Sequence, residues 1–150
     1  MSGADAGMSA PERMKVRARE FLDAQAAGDT AGLQAMMVDD VRWWVQLSVE
    51  GRVPRPLVGA REVAQFASGE ITASFVAGST TWRVHHMTAE DDRVAVLAQR
   101  LAVGANGWPY DNEYHWLFRF EGDRIAEIWE VLDTSHAFTL LTLDPASWRD

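Results

Sequence analysis

"YDNEYHWLFRFEGDRIAEIWEVLD", residues 110–133, decides the architecture. Its first half alternates strictly: Tyr110, Asn112, Tyr114, Trp116, Phe118 and Phe120 fall on one face, with Glu113, His115, Leu117 and Arg119 on the other. Period two marks a β-strand, and so aromatic a face belongs against a core. His115 then faces outward, toward solvent or a second subunit. Glu121, Gly122 and Asp123 supply hairpin-turn chemistry, so the chain folds back on itself. On the return strand Ile125, Glu127, Trp129, Val131 and Asp133 share one parity, and Ala126, Ile128, Glu130 and Leu132 the other. A regular strand sends only one of Glu130 and Asp133 inward, whereas a bulge near its end reconciles both. Both alternatives stand at the level of sequence.

Upstream lie two more strand candidates, residues 80–89 and 93–103, joined by "EDD" (90–92) and followed by "GANG" (104–107). Helix patterns precede them. Ser9, Pro11 and Glu12 form a capping box, after which Met14, Ala18, Phe21 and Leu22 recur at helical spacing. Gly28 ends this helix and Asp29 caps a second, from Thr30 to Met37. Residues 39–47 read as a strand, and 48–59 as a Gly/Pro loop long enough to form a lid or rim. A third helix covers 60–70. Helices followed by a strand meander predict an α+β fold, with a curved antiparallel sheet wrapped around three N-terminal helices and open at one end. The expected limits are a flexible tail over 1–12, one domain over 13–138 and a C-terminal tail over 139–150.

The chain has 150 residues, a formal net charge of −8, no cysteine and seven tryptophans. Nucleic acid and anionic membranes attract clustered Lys and Arg, and no such cluster is present, so neither is an expected partner. Lack of cysteine removes disulfides, thiol catalysis and thiolate metal sites. The first ten residues lack a basic and an apolar signal region, which points to the cytoplasm. Four histidines without HxH or HExxH spacing give no metal site. No phosphate-binding loop occurs, and no cofactor is expected.

Three stretches, "AGDTAGLQAMMVDDVRWWV" (27–45), "VGAREVAQF" (58–66) and 110–138, resemble the SnoaL-like and ketosteroid isomerase-like proteins of the nuclear transport factor two superfamily. The resemblance implies a cone-shaped α+β barrel with an apolar cavity, and a homodimer through the outer sheet face. It implies no single activity, because one fold hosts several chemistries. The isomerase oxyanion donor, general base and protonated acid fall on Phe21, Val45 and Trp116, none of which can perform those roles. The acid position of the dehydratases falls on Ala26, although His85 or His86 could supply their histidine. Asp133 matches the acid/base position of SnoaL-like cyclases. The Arg–Asp pairing of the related epoxide hydrolases is not visible.

The candidate catalytic residues are therefore Asp133, His86, His85 and Glu130. Trp43, Trp82, Tyr114 and Trp116 would form pocket walls, with Phe21 and Val45 at the vacated isomerase positions. Asn112 or Tyr114 could hold a carbonyl or hydroxyl oxygen. An inward carboxyl among Trp and Phe rings is desolvated and suited to proton exchange near neutrality. His136 could relay that proton, or Asp133 could simply cap the chain after the strand. The expected function is cofactor-independent acid/base chemistry of isomerase, cyclase or lyase (dehydratase) type on a hydrophobic, aromatic or polycyclic small molecule. The competing expectation is a non-catalytic ligand-binding or dimerisation domain.

Overall fold

The computed structural model describes residues 7–45 and 56–142. Its elements run α1 (Ala10–Ala27), α2 (Thr30–Ala35), β1 (Met37–Val45), β2 (Leu57–Val58) and α3 (Ala60–Gln65). A π-helical turn (Phe66–Glu70) and a 3-10 turn (Thr72–Ser74) follow, then β3 (Thr81–Glu90), β4 (Arg93–Val103), β5 (Pro109–Glu121), β6 (Arg124–Leu132) and α4 (Thr134–Thr142).

Local chemistry sets the helix ends. Ser9 accepts from the Glu12 backbone N–H, and Glu12 Oε2 accepts from the Ser9 N–H at 2.7 Å, closing the capping box. Gly28 ends α1 at φ 68°, a left-handed conformation that costs glycine nothing. The Asp29 side chain accepts from Gly32 N at 2.9 Å and starts α2. Met14, Ala18, Phe21 and Leu22 form the buried stripe of α1.

The sheet has six strands in the order β2-β1-β6-β5-β4-β3, curved and unclosed. Four neighbouring pairs are antiparallel, but β1 and β6 run parallel, so the sheet is mixed rather than wholly antiparallel. Most of the chain separates these two strands, ample length for the crossover that parallel pairing needs. All six aromatic-face residues of β5, from Tyr110 to Phe120, are buried. The Phe21 ring of α1 packs edge-on against Trp116 and Phe118, with ring centres 6.1 and 5.4 Å away. The helices thus cover the inner face of the sheet.

Several local expectations shift. Met37 opens β1 instead of ending α2, because its side chain is buried and it pairs with Ile125 of β6. Leu57 and Val58 pair with Trp43 and Arg42, so the end of the expected loop is a strand. Residues 48–55 of that loop, and 46–47 of the strand expected before it, lie outside the described residues. The third helix becomes π-helical after Gln65. Ala10 to Glu12, expected as tail, form the first turn of α1. At the other end α4 continues to Thr142, with Ala137 buried and Leu140 and Leu141 packed on the core.

Phe118 is fully buried between Phe21 and Trp116. Phe118→Ala should lower unfolding stability by about 3–5 kcal/mol, measured by urea denaturation. A loss under about 1 kcal/mol would show that this contact does not organise the core.

Candidate active site

Strand alternation brings polar side chains from three adjacent strands onto the inner face. On β4, Val94, Val96, Ala98 and Arg100 are buried at every second position. On β5 the same alternation buries Tyr110, Asn112 and Tyr114, and on β6 it buries Ile128 and Glu130. Arg100 pairs in register with Asn112, and Glu130 with Trp116. Arg100, Tyr110, Tyr114 and Glu130 line a cavity of about 340 Å³ together with apolar residues that include Val45, Phe75 and Leu132. Ala137 and Leu141 of α4 contribute to its wall. A larger hollow of about 730 Å³ between α1, α2 and the β5–β6 turn is shallower and lined by scattered surface charges. It brings no comparable set of groups together.

Glu130 is only 4% exposed, and its Oε2 has no hydrogen-bond partner. Burial pushes its pKa up to about 8, against the opposing pull of the Arg100 charge and the neighbouring Trp43 indole. The Trp43 N–H itself makes no hydrogen bond of good geometry, so its pull is weak. At neutral pH the carboxyl is thus mostly protonated, a donor as well as an acceptor. Arg100 is 1% exposed. Its guanidinium lies 3.8 Å from the Phe75 ring centre and 5.4 Å from that of Trp82, and Nη2 donates to Thr80 Oγ1 at 3.1 Å. Burial lowers its pKa, but a guanidinium starts high enough to stay charged.

The tyrosines complete the polar wall. Tyr110 and Tyr114 share a hydroxyl–hydroxyl hydrogen bond of 2.6 Å. Asn112 Nδ2 donates to the Tyr110 hydroxyl at 3.1 Å and to the Asp133 carbonyl at 3.0 Å. Burial raises both tyrosine pKa values, that of Tyr114 strongly, so both phenols stay protonated as donors.

The expected acid/base residues separate. Asp133 is exposed, and its Oδ1 accepts from His136 N at 2.9 Å, capping α4. The reason is register: Leu132 pairs with Tyr114 on the inner face, so the next residue turns away. The irregularity between β5 and β6 lies at Arg119/Phe120, too far from the end of β6 to bring Asp133 back in. His136 is exposed, with Nε2 2.8 Å from the Asp111 carbonyl oxygen. His85 and His86 are both exposed as well. Val84 pairs with Ala98 and His86 with Leu97, so His85 is an extra residue. This bulge hands the inward position to Met87 and turns both imidazoles outward.

Among the expected pocket residues, Tyr114 and Val45 line the cavity. Phe21, Trp43, Asn112 and Trp116 are buried, and Trp82 is half-buried against Tyr114, Trp116 and the Arg100 guanidinium. Sequence reasoning missed Arg100 and Tyr110 as site residues. The signal for Arg100 was its parity with Val94, Val96 and Ala98, which places a cation on an otherwise apolar face. Among the described residues no cluster of three His, Cys, Asp or Glu side chains could hold a metal ion. No helix among them is long and apolar enough to cross a membrane.

Residues 18–128 match the SnoaL-like domain family. No curated protein matches the sequence. An NTF2-like protein of unknown function from Burkholderia pseudomallei K96243 superposes with a TM-score of 0.73 at 23% identity, over 91% of this chain and 100% of its own. TerC, co-crystallised with polyporic acid, gives a TM-score of 0.74 at 14% identity, over 87% of this chain and 99% of its own. An LEH-like epoxide hydrolase from M. tuberculosis gives 0.66 at 15%, over 87% and 90% respectively. At these identities the likeness is one of fold.

Glu130 makes stability depend on pH. Its folded pKa of about 8 exceeds the ordinary 4.5, so the folded protein holds the proton more tightly than the unfolded chain. Stability contributed by this group is therefore complete below about pH 4.5, declines as pH rises toward about 8, and is level above that. Glu130→Gln removes the titration, so its melting temperature should gain on that of the native protein from about pH 5 to about pH 8. Parallel curves across this range would contradict a buried titrating carboxyl.

Proposed function

The chain belongs to the SnoaL-like domain family, and from that premise we propose that it is a cofactor-independent enzyme performing proton transfer on a small hydrophobic substrate. The observation that carries this reading is the buried, cavity-facing Glu130 carboxyl, held among Arg100, Tyr110 and Tyr114. A carboxyl with a pKa near 8 is matched to proton exchange at physiological pH. Glu130 enters the cycle protonated and donates to a substrate oxygen or carbon. The carboxylate left behind is stabilised by the Arg100 cation, and it recovers a proton from another substrate position. Such a shuttle serves isomerisation, cyclisation and elimination alike. Tyr114 hydrogen-bonds a carbonyl or hydroxyl oxygen, with Tyr110 and Asn112 positioning it. Asp133, His85 and His86 take no part, since none reaches the cavity wall.

The cavity of about 340 Å³ is at the small end of the range for ligand sites and suits one or two rings better than a large polycycle. TerC, crystallised with polyporic acid, and the mycobacterial epoxide hydrolase lend support, as relatives in fold that hold a ligand or do chemistry. NMR-detected hydrogen–deuterium exchange at the activated carbon of 2-tetralone, a bicyclic ketone, tests the proton-transfer step. The native protein should accelerate exchange, and the rate should fall above about pH 8 as Glu130 ionises. Glu130→Gln should lose at least about 100-fold of the acceleration. Binding of the ketone without accelerated exchange would instead identify a ligand-binding domain.

The outer sheet face supports a homodimer. Trp44 and Trp129, neighbours in register on β1 and β6, stack there at 4.8 Å with an interplanar angle of 4°, and nearby Val131 is 49% exposed. Paired aromatic rings beside exposed aliphatic surface are the usual core of a protein interface. Sedimentation should give twice the chain mass of 16.7 kDa, and Trp129→Asp should shift it to the monomer. A native monomer at micromolar concentration would rule out this interface.

A further inference from the structure

We propose that the ligand of this cavity carries an anionic oxygen group of the carboxylate type, and that Arg100 receives it. The inference rests on the reading of the cavity as a small-molecule site and adds the charge of what binds there. A guanidinium buried to 1% exposure is costly unless its charge and its five N–H groups are matched. Among the described residues Arg100 donates to Thr80, meets the Tyr114 hydroxyl as well and has no direct ion pair, while Nε has no partner. Phe75 and Trp82 contact the cation through their rings. Such contacts hold a guanidinium in place and leave its in-plane N–H fork for a planar oxygen acid.

The titratable groups around the cavity do not cancel this charge. Among the described residues they are Glu70 on the π-helical turn, Arg100 on β4, Tyr110 and Tyr114 on β5, and Glu130 on β6. Both phenols are neutral, and Glu130 keeps its proton at neutral pH. Glu70 is exposed, where water screens its charge. Among the described residues, the dry part of the wall therefore carries one uncompensated positive charge. A ligand with one carboxylate neutralises it, leaving its apolar body to Val45, Phe75 and Leu132. An uncharged ligand of the same shape leaves the guanidinium fork unmatched.

Calorimetric titration with 2-naphthoate and the isosteric, neutral 2-naphthamide separates the possibilities. At about pH 6.5 the native protein should bind naphthoate at least about tenfold more tightly than naphthamide. Arg100→Met should lose that preference while still binding naphthamide. A second measurement needs no change at Arg100: raising the pH to about 9.5 ionises Glu130 beside the guanidinium. Naphthoate affinity should then fall several-fold with naphthamide unaffected, and Glu130→Gln should show no such fall. Equal affinity of the native protein for both probes, or an intact preference in Arg100→Met, overturns the assignment of charge while leaving the small-molecule cavity standing. Failure of both probes to bind overturns the cavity reading and this proposal together.

Discussion

Trp116 is the point through which the structure is tied together. Its ring meets Phe21 from α1, Trp43 from β1, Trp82 from β3 and both Tyr114 and Phe118 on its own strand, with ring centres 5.7–6.1 Å away. Edge-to-face and offset packing at such distances is favourable beyond the area it buries. One side chain thus fixes how the first helix, the first strand and the outermost long strand sit against the middle of the sheet. It can do so only because β5 presents an unbroken inner face from Tyr110 to Phe120. A one-residue slip would put His115 in the core and Trp116 in water.

The same dry aromatic wall sets the chemistry beside it. Polar groups that alternation places on the inner face must be satisfied, neutralised or left to a ligand. Tyr110, Tyr114 and Asn112 satisfy one another. Glu130 is neutralised, its proton held because little solvation is available to the carboxylate. Arg100 cannot be neutralised in this way, and its charge persists. The site is therefore less an arrangement of strong pairs than a set of groups whose usual partner, water, has been removed. Phe21, Val45 and Trp116, all buried and apolar, contribute to that exclusion rather than to acid/base chemistry.

Much of the fold was legible in the sequence because its signals are local. The capping box at Ser9, the stop at Gly28 and the cap at Asp29 act through neighbours three or four residues away, and the structure has all three. Alternation over 110–120 predicts its inner face correctly because that strand has no irregularity before Arg119. The prediction weakens where β-bulges intervene. At His85 a single extra residue moves two histidines to the outside, and nothing in residues 80–89 announces it. α4 was also missed, although Asp133 followed by Ala137, Leu140 and Leu141 has the form of a cap and an apolar stripe.

By itself, the sequence determined an α+β chain, the first two helices and the long strands to within a few residues, the aromatic inner face of β5 and a likeness to the SnoaL-like family. Tertiary structure alone decided the parallel pairing of β1 with β6, the choice of Glu130 over Asp133 as the inward carboxyl, and the meeting of Arg100 with Glu130 and the tyrosine pair. Helix caps and strand alternation depend on residues adjacent along the chain. Which face of a strand is buried at a given residue depends on register with its partners, and a desolvated charge exists only once side chains from separate strands enclose the same space.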